Sequence, residues 1–128
     1  MKETLSRHEW SIMEVLWHRN PLFMSDIMEA MQVSLDWNRS SYQTYLKRMV
    51  DKGYVGYKTV RGSRSYFPLL GREDCVESES SAMLSKLTER SAKMFLASMI
   101  QKSGLTEQDR VELQALIAGL GGEPRKEN

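Results

Sequence analysis

The segment from Asn38 to Arg64 changes its hydrophobic period partway along, and this change constrains the fold more than any other feature of the chain. Up to Lys52 the apolar residues recur every three or four positions, and they are Tyr42, Tyr45, Leu46, Met49 and Val50. This spacing is typical of an amphipathic helix. Residues 54–59 and 65–69 then alternate and are rich in Tyr, Val, Thr and Phe. The segment therefore predicts a helix followed at once by a two-stranded β-hairpin.

Residues with strong turn and cap preferences mark the ends of these elements. Asn38 is suited to cap the helix start, and Gly53 is suited to the left-handed position that closes a helix. The connection 60–64 contains Gly62, as a hairpin loop commonly does. Pro68 cannot donate to a strand ladder, so we expect it at an edge position or at the end of the second strand.

Basic residues concentrate on the same segment. It holds seven Lys and Arg residues and one acid, Asp51, so it carries a net charge of +6 while the whole chain carries +1. A surface that neutralises phosphates has this kind of charge separation, which indicates nucleic acid as the first partner to consider. The alternative is a solvated, charged helix face without a partner.

Two shorter helices are predicted before this segment. Ser6 and Glu9 have the spacing of a capping box, and Asn20-Pro21 ends the helix that they begin. Residues 24–32 form the second helix, with Ile27, Met28 and Met31 on its apolar side. We interpret Met13, Met28, Met31 and Met49 as core filling. Three helices and a hairpin, with a polar and basic third helix, predict a mainly α fold with a small β-hairpin: a winged helix-turn-helix over residues 1–70.

Residues 71–122 are predicted to form a helical dimerisation domain, and residues 123–128 a disordered tail. The helices carry more apolar surface than an isolated arm could hide, and a second copy of the chain would cover it. The residues predicted to form this interface are Met83, Leu84, Leu87, Phe95, Met99, Ile100, Leu113, Leu116 and Ile117. The alternative is that these helices fold back on the winged helix as one monomeric core.

The composition and motifs bound the function. There is no HExxH, GxSxG, phosphate-binding loop or paired-carboxylate pattern, so we predict no enzymatic activity and no cofactor. The single cysteine, Cys75, and the lack of a signal peptide or membrane span favour the cytoplasm. Short polar and basic side chains on the third helix favour double-stranded DNA as the partner. The alternative from another class is an adaptor whose basic face binds an acidic protein.

Three segments of the chain resemble a known family. They are residues 10–17 (WSIMEVLW), 36–41 (DWNRSS) and 46–55 (LKRMVDKGYV). These segments resemble the penicillinase and methicillin-resistance repressors, the BlaI/MecI group, whose wider family includes copper-responsive repressors of the CopY type. The resemblance implies a homodimeric winged-helix repressor that blocks a promoter at a pseudo-palindromic operator. It also implies relief of repression by a membrane sensor metalloprotease that cuts the C-terminal region.

The resemblance also assigns roles to individual residues. It implies base and phosphate contacts by Ser40, Ser41 and Thr44, and Arg48 matches a basic residue toward the C-terminal half of the recognition helix. It also implies an approach of Arg61 and Arg64 to the sugar-phosphate backbone. With the basic and polar residues that the helix pattern exposes, the predicted DNA-binding set is Arg39, Ser40, Ser41, Gln43, Thr44, Lys47, Arg48, Arg61 and Arg64.

The implied cleavage position is Ser98-Met99, where the beta-lactam repressors have an Asn-Phe pair. Because of this difference, the resemblance does not identify the protease or a beta-lactam signal. Copper-responsive repressors use a C-terminal cluster of cysteines, because thiolates are the ligands that Cu(I) prefers. This chain has Cys75 alone, so that mode of sensing is not expected.

Overall fold

A computed structural model describes residues 4–33 and 38–120 and divides them into two compact units. The first unit ends at Ser85 and contains α1 (Arg7–His18), β1 (Leu22–Phe23), α2 (Met24–Ala30), α3 (Arg39–Asp51), β2 (Val55–Val60), β3 (Ser63–Pro68) and α4 (Arg72–Leu84). The second unit begins at Lys86 and contains α5 (Glu89–Lys102) and α6 (Glu107–Leu120). The predicted tail, 123–128, lies outside the described residues. The predicted winged helix-turn-helix is confirmed.

The sheet has one more strand than the sequence predicts. It is antiparallel with the order β1-β3-β2, and Leu22 and Phe23 of β1 pair with Tyr66 and Ser65 of β3. A two-residue strand has no detectable alternation, so its sequence gives no strand signal. Pro68 pairs with Val55 at the last position of β3, which is the central strand. The expectation of a strand end is therefore confirmed. Pro68 also has no partner in β1, which pairs with Ser65 and Tyr66 alone.

The hairpin connection is shorter than the predicted 60–64. Val60 pairs with Ser63, so the loop consists of Arg61 and Gly62 alone. Their φ angles are 52° and 80°. Two-residue loops with positive φ at both positions are type I′ turns, whose twist matches that of the flanking strands. Gly62 adopts this conformation without a steric cost, whereas for a residue with a side chain, such as Arg61, it is unfavourable by about 1 kcal/mol.

The cap predictions for α3 have different outcomes at its two ends. Gly53 has a φ of 84°, and its N–H donates to the Val50 carbonyl while the Tyr54 N–H donates to the Met49 carbonyl. This is the Schellman arrangement, so the predicted C-terminal closure is confirmed. Asn38 occupies the N-cap position, but its side chain makes no cap hydrogen bond. The side-chain cap predicted there is wrong.

The core of the first unit lies between the three helices and the inner face of the sheet. Ile12, Leu16, Ile27, Leu46 and Tyr54 are fully buried in it. Met13, Met28 and Met49 are also fully buried, which confirms the prediction that they fill the core, and Met31 packs against the core while partly buried. Each inward-facing residue of α3 follows the predicted helical spacing, so the opposite face of α3 is left to solvent.

Helix α4 belongs to the first unit, so the compact unit ends at Ser85 rather than at the predicted residue 70. Cys75 is fully buried in the same core, and the Leu5 N–H donates to the Glu79 carboxylate at 2.8 Å. At the start of α4, Arg72 forms a salt bridge with Glu14 of α1. The composition of the sequence changes at residue 71, which is why the boundary is predicted there. The contacts described above nevertheless join α4 to the winged helix.

The two helices of the second unit are capped but have no buried residue. The Thr88 hydroxyl accepts from the Ser91 N–H. Thr106 and Asp109 form a capping box, in which the Asp109 N–H donates to the Thr106 hydroxyl at 3.1 Å and the Thr106 N–H donates to the Asp109 carboxylate at 3.0 Å. Within residues 4–33 and 38–120, none of the helices has the length and apolar character needed to cross a bilayer.

Candidate nucleic-acid interface

An open groove of about 720 Å³ separates α3 from the tip of the hairpin. Arg39, Gln43 and Lys47 line it from α3, and Arg61 and Arg64 line it from the hairpin. Met24 and Ser25 line it from the start of α2. Four of these side chains are cationic. No acidic residue lines the groove within the described part of the chain. The groove therefore combines positive charge with one amide able to donate and accept hydrogen bonds.

Helical periodicity explains which α3 residues face the groove. Arg39, Gln43 and Lys47 are spaced by four, so they form one ridge along the side of α3 next to the hairpin. Lys47 also lies 3.8 Å from Asp51, but both side chains are well exposed and such a pair is weak. A phosphate can therefore compete with Asp51 for the Lys47 ammonium.

The other predicted α3 residues lie outside the groove. Ser40, Ser41, Thr44 and Arg48 are exposed but are not among its lining residues. By helical spacing, Ser40 and Thr44 occupy the next ridge outward, and Ser41 and Arg48 lie on the side away from the hairpin. The Thr44 hydroxyl donates to the Ser40 carbonyl at 3.1 Å, so only its acceptor capacity is left for a base.

The hairpin holds its two arginines in defined conformations. Arg61 is placed at the tip by the left-handed turn, and the Arg64 guanidinium carbon lies 4.2 Å from the centroid of the Tyr57 ring. Sequence reasoning found both arginines but missed Tyr57. It also missed the groove residues outside the basic set, which are Phe23, Met24, Ser25, Val60, Ser63 and Tyr66. The helix-to-strand pattern gave no signal for these residues, because they come from four different elements.

Lys52 contributed to the net charge of the basic segment, but the structure shows it bound within the fold. Its ammonium lies 3.0 Å from the Glu9 carboxylate and 2.9 Å from the Thr4 carbonyl. The Glu9 carboxylate is buried and also accepts from the Ser6 N–H at 2.8 Å. Burial raises the pKa of Glu9, but the hydrogen bonds from Ser6 and Lys52 outweigh it and hold the pKa below its usual value. Lys52 therefore fixes the end of α3 to the start of α1.

The predicted dimerisation residues lie on both units. Met83 and Leu84 are exposed at the end of α4 in the first unit. In the second unit Leu87, Phe95 and Leu113 are half-buried, and the remaining members of the set are exposed: Met99, Ile100, Leu116 and Ile117. One copy of the chain thus leaves large apolar side chains in water along α5 and α6.

A winged helix that presents a basic groove between its third helix and its hairpin defines a class, the winged-helix DNA-binding regulators. Within that class, the chain belongs to the penicillinase repressor family, whose family model matches residues 5–119. It is a DNA-binding transcriptional repressor of that family, and because the family is one of repressors it is not an enzyme. The resemblance to the BlaI/MecI group is confirmed.

Relatives of this chain share the family at low identity. The methicillin resistance regulatory protein MecI of Staphylococcus aureus strain N315 is 21% identical over 113 residues, which cover 88% of this chain and 92% of that protein. The penicillinase repressor of Bacillus licheniformis is 19% identical over 113 residues, which cover 88% of each chain. Among solved structures, the overoxidized AbfR bound to DNA has a TM-score of 0.45 at 17% identity, covering 80% of this chain and 74% of that one.

Proposed function

We propose that this repressor binds operator DNA as a homodimer, with the α3–hairpin groove of each copy against one half-site. The observation that carries this proposal is the groove itself, in which Arg39, Lys47, Arg61 and Arg64 surround Gln43 and none of the described lining residues is acidic. Cations of this kind neutralise phosphates and supply most of the affinity for DNA. The amide of Gln43 can pair with the N6 and N7 atoms of adenine and supply specificity.

Different residues of this surface contact the base edges and the DNA backbone. The N-terminal part of a recognition helix meets the base edges when a helix-turn-helix docks in the major groove. In this chain that part carries Ser40, Ser41, Gln43 and Thr44. Arg48 and the hairpin arginines contact the backbone on either side, which fixes the register but carries no sequence information by itself.

Dimerisation follows from the apolar surface of α5 and α6. An isologous pairing of these helices across a two-fold axis would remove from water the side chains of Met99, Ile100, Leu116 and Ile117, which are 51%, 46%, 63% and 59% exposed in one copy. A two-fold protein binds a pseudo-palindrome whose half-sites are separated by whole helical turns. Chromosomal DNA of the bacterial relatives lies in the cytoplasm, which is the compartment we propose.

Repression is relieved, in this proposal, by proteolysis at Ser98-Met99, carried out by a membrane sensor metalloprotease. Both residues lie within α5, where Met99 is 51% exposed and Ser98 is half-buried. Helix α5 has no buried residue in one copy, so local unwinding there breaks few packing contacts. A cut at this position would separate most of the apolar surface of the second unit from the DNA-binding unit.

Selection from a random duplex library tests the reading role of this surface. The full-length chain is expected to enrich two-fold-related half-sites. On the selected operator, Gln43→Ala should lose about 1–3 kcal/mol of discrimination against a scrambled site, because a bidentate base contact is worth this much. Thr44→Val should lose less, since the Thr44 hydroxyl proton is already donated to Ser40. The measurement is the affinity for both duplexes at one fixed salt concentration.

Two outcomes contradict the proposal. Equal losses of Gln43→Ala on operator and scrambled DNA would show that α3 only positions the protein. Selection without any enriched sequence, together with tight binding to an acidic protein, would favour the adaptor alternative. Gln108→Ala serves as the matched control, because Gln108 is an exposed glutamine on α6, outside the groove.

A further inference from the structure

Three side chains lie in a row on one face of the hairpin: Tyr66, Tyr57 and Arg64. Tyr57 of β2 pairs directly with Tyr66 of β3, and Arg64 precedes Tyr66 by two residues. Because side chains alternate along a strand, all three point to the same face, and Arg64 is the diagonal neighbour of Tyr57. This face is the one that borders the groove, since Arg64 and Tyr66 both line it.

This row runs from the core to the groove. Tyr66 is 7% exposed and belongs to the core, and its ring centroid lies 6.0 Å from that of Tyr57 at an angle of 56°. Tyr57 is 38% exposed, and the guanidinium carbon of Arg64 lies 4.2 Å from the Tyr57 centroid. The Tyr57 ring is therefore fixed on one side by a buried neighbour and carries the Arg64 cation on its face.

Stacking orders Arg64 without using its hydrogen-bond donors. A guanidinium that lies over an aromatic face keeps its five N–H groups free around its own plane. No acidic side chain in the described part of the chain forms a salt bridge with Arg64. The donors are thus available to an anion in the groove, while the long side chain has already lost much of its rotational freedom.

We propose that Tyr57 is a positioning residue for DNA binding: its ring holds the Arg64 guanidinium in the conformation that contacts a phosphate. The inference rests on the proposed role of the groove and adds a residue that neither the charge pattern nor the recognition helix reveals. Tyr57 acts through Arg64, so its contribution exists only while Arg64 is present. The contact is to a phosphate, so its effect does not depend on the DNA sequence.

The test is a double-mutant cycle on the full-length chain, with a mixed-sequence duplex as the probe at one fixed salt concentration. Tyr57→Phe keeps the ring and should bind like the wild type. Tyr57→Leu removes the ring and should weaken binding about two- to fivefold, the range of an exposed cation–π contact. In the Arg64→Ala background the same Tyr57→Leu change should have no further effect. Tyr57→Thr, a good strand former, repeats the test if Tyr57→Leu fails to fold.

The outcomes separate this inference from the proposed function. A wild-type chain that does not bind the duplex would contradict the proposed function itself. If the wild type binds and Arg64→Ala weakens it while Tyr57→Leu does not, only the role of Tyr57 is overturned. An equal loss from Tyr57→Leu with and without Arg64 would also overturn it, as would a loss from Tyr57→Phe as large as that from Tyr57→Leu.

Discussion

A fragment that ends at Ser85 is expected to fold, to remain monomeric and to bind a two-half-site operator about a hundred- to ten-thousandfold more weakly than the full chain. The fragment keeps its own core, including the buried Cys75. It loses α5 and α6, which carry most of the exposed apolar side chains. In a dimer, binding of one copy places the second copy at a high effective concentration near the other half-site. This effect commonly raises affinity about a hundred- to ten-thousandfold, and a monomeric fragment lacks it.

Sedimentation and operator titration measure this result, and a shorter fragment provides the control. A fragment ending at Leu70 lacks α4, so it loses the burial of Cys75 and the hydrogen bond from Leu5 to Glu79. It should unfold at a lower temperature than the fragment that ends at Ser85. A dimeric 1–85 fragment, or one that binds the operator as tightly as the full chain does, would contradict the assignment of dimerisation to α5 and α6.

The second large effect concerns the buried carboxylate of Glu9. Replacing Glu9 by Ala is expected to lower the free energy of unfolding by about 3–5 kcal/mol, because it leaves the Lys52 ammonium without its charged partner. The Ser6 N–H also loses its acceptor. The double variant Glu9→Leu/Lys52→Met should recover most of this loss, since well-packed apolar residues commonly replace a buried ion pair without cost. Denaturant unfolding of the three proteins measures the difference.

The same carboxylate predicts a dependence on pH. The pKa of Glu9 in the folded state lies below the ordinary value of 4.5. A depressed carboxyl pKa contributes stability that is complete above the unfolded pKa and is lost as the pH falls through the folded one. Glu9→Gln should therefore lose less stability than the wild type when the pH is lowered below about 4.5. If the free energy of unfolding of the two proteins fell equally at acid pH, Glu9 would not be held in its charged form.

Two helix ends were predictable from local sequence signals, whereas the side-chain cap expected from Asn38 does not form. The capping box of Ser6 and Glu9 and the left-handed Gly53 both follow from residues within one turn of each other, and both are confirmed. The pairing of Glu9 with Lys52 spans 43 positions. No periodicity links two such residues, so from the sequence Lys52 is only one of the cations of the basic segment, and its pairing with Glu9 depends on the packing of α1 on α3.

The lack of a sequence signal for contacts between distant residues also explains which features of the groove were not predicted. The spacing of Arg39, Gln43 and Lys47 predicts one helix face, but which face borders the hairpin depends on how α3 packs. The stacking of Arg64 on Tyr57 depends on the strand register, which is set by the two-residue loop at Arg61 and Gly62. A longer loop, as predicted from the sequence, would have placed different residues opposite each other.

The salt dependence of binding tests most directly whether the α3–hairpin groove is the surface that binds DNA. One variant removes the four groove cations as Arg39→Gln, Lys47→Gln, Arg61→Gly and Arg64→Gln, with glycine at Arg61 because the turn there is left-handed. The matched control removes the same charge from exposed positions outside the groove, as Arg7→Gln, Arg19→Gln, Lys86→Gln and Lys102→Gln.

Affinity for one duplex is measured across a series of salt concentrations for the wild type and both variants. Each lost phosphate contact reduces the slope of log K against log salt by about 0.9, so the groove variant should lose about three to four units of slope per bound copy. Its affinity should fall on the order of a hundredfold or more, while the control keeps a slope close to that of the wild type. Equal slopes and affinities for the groove variant and the control would contradict the assignment of this groove to DNA.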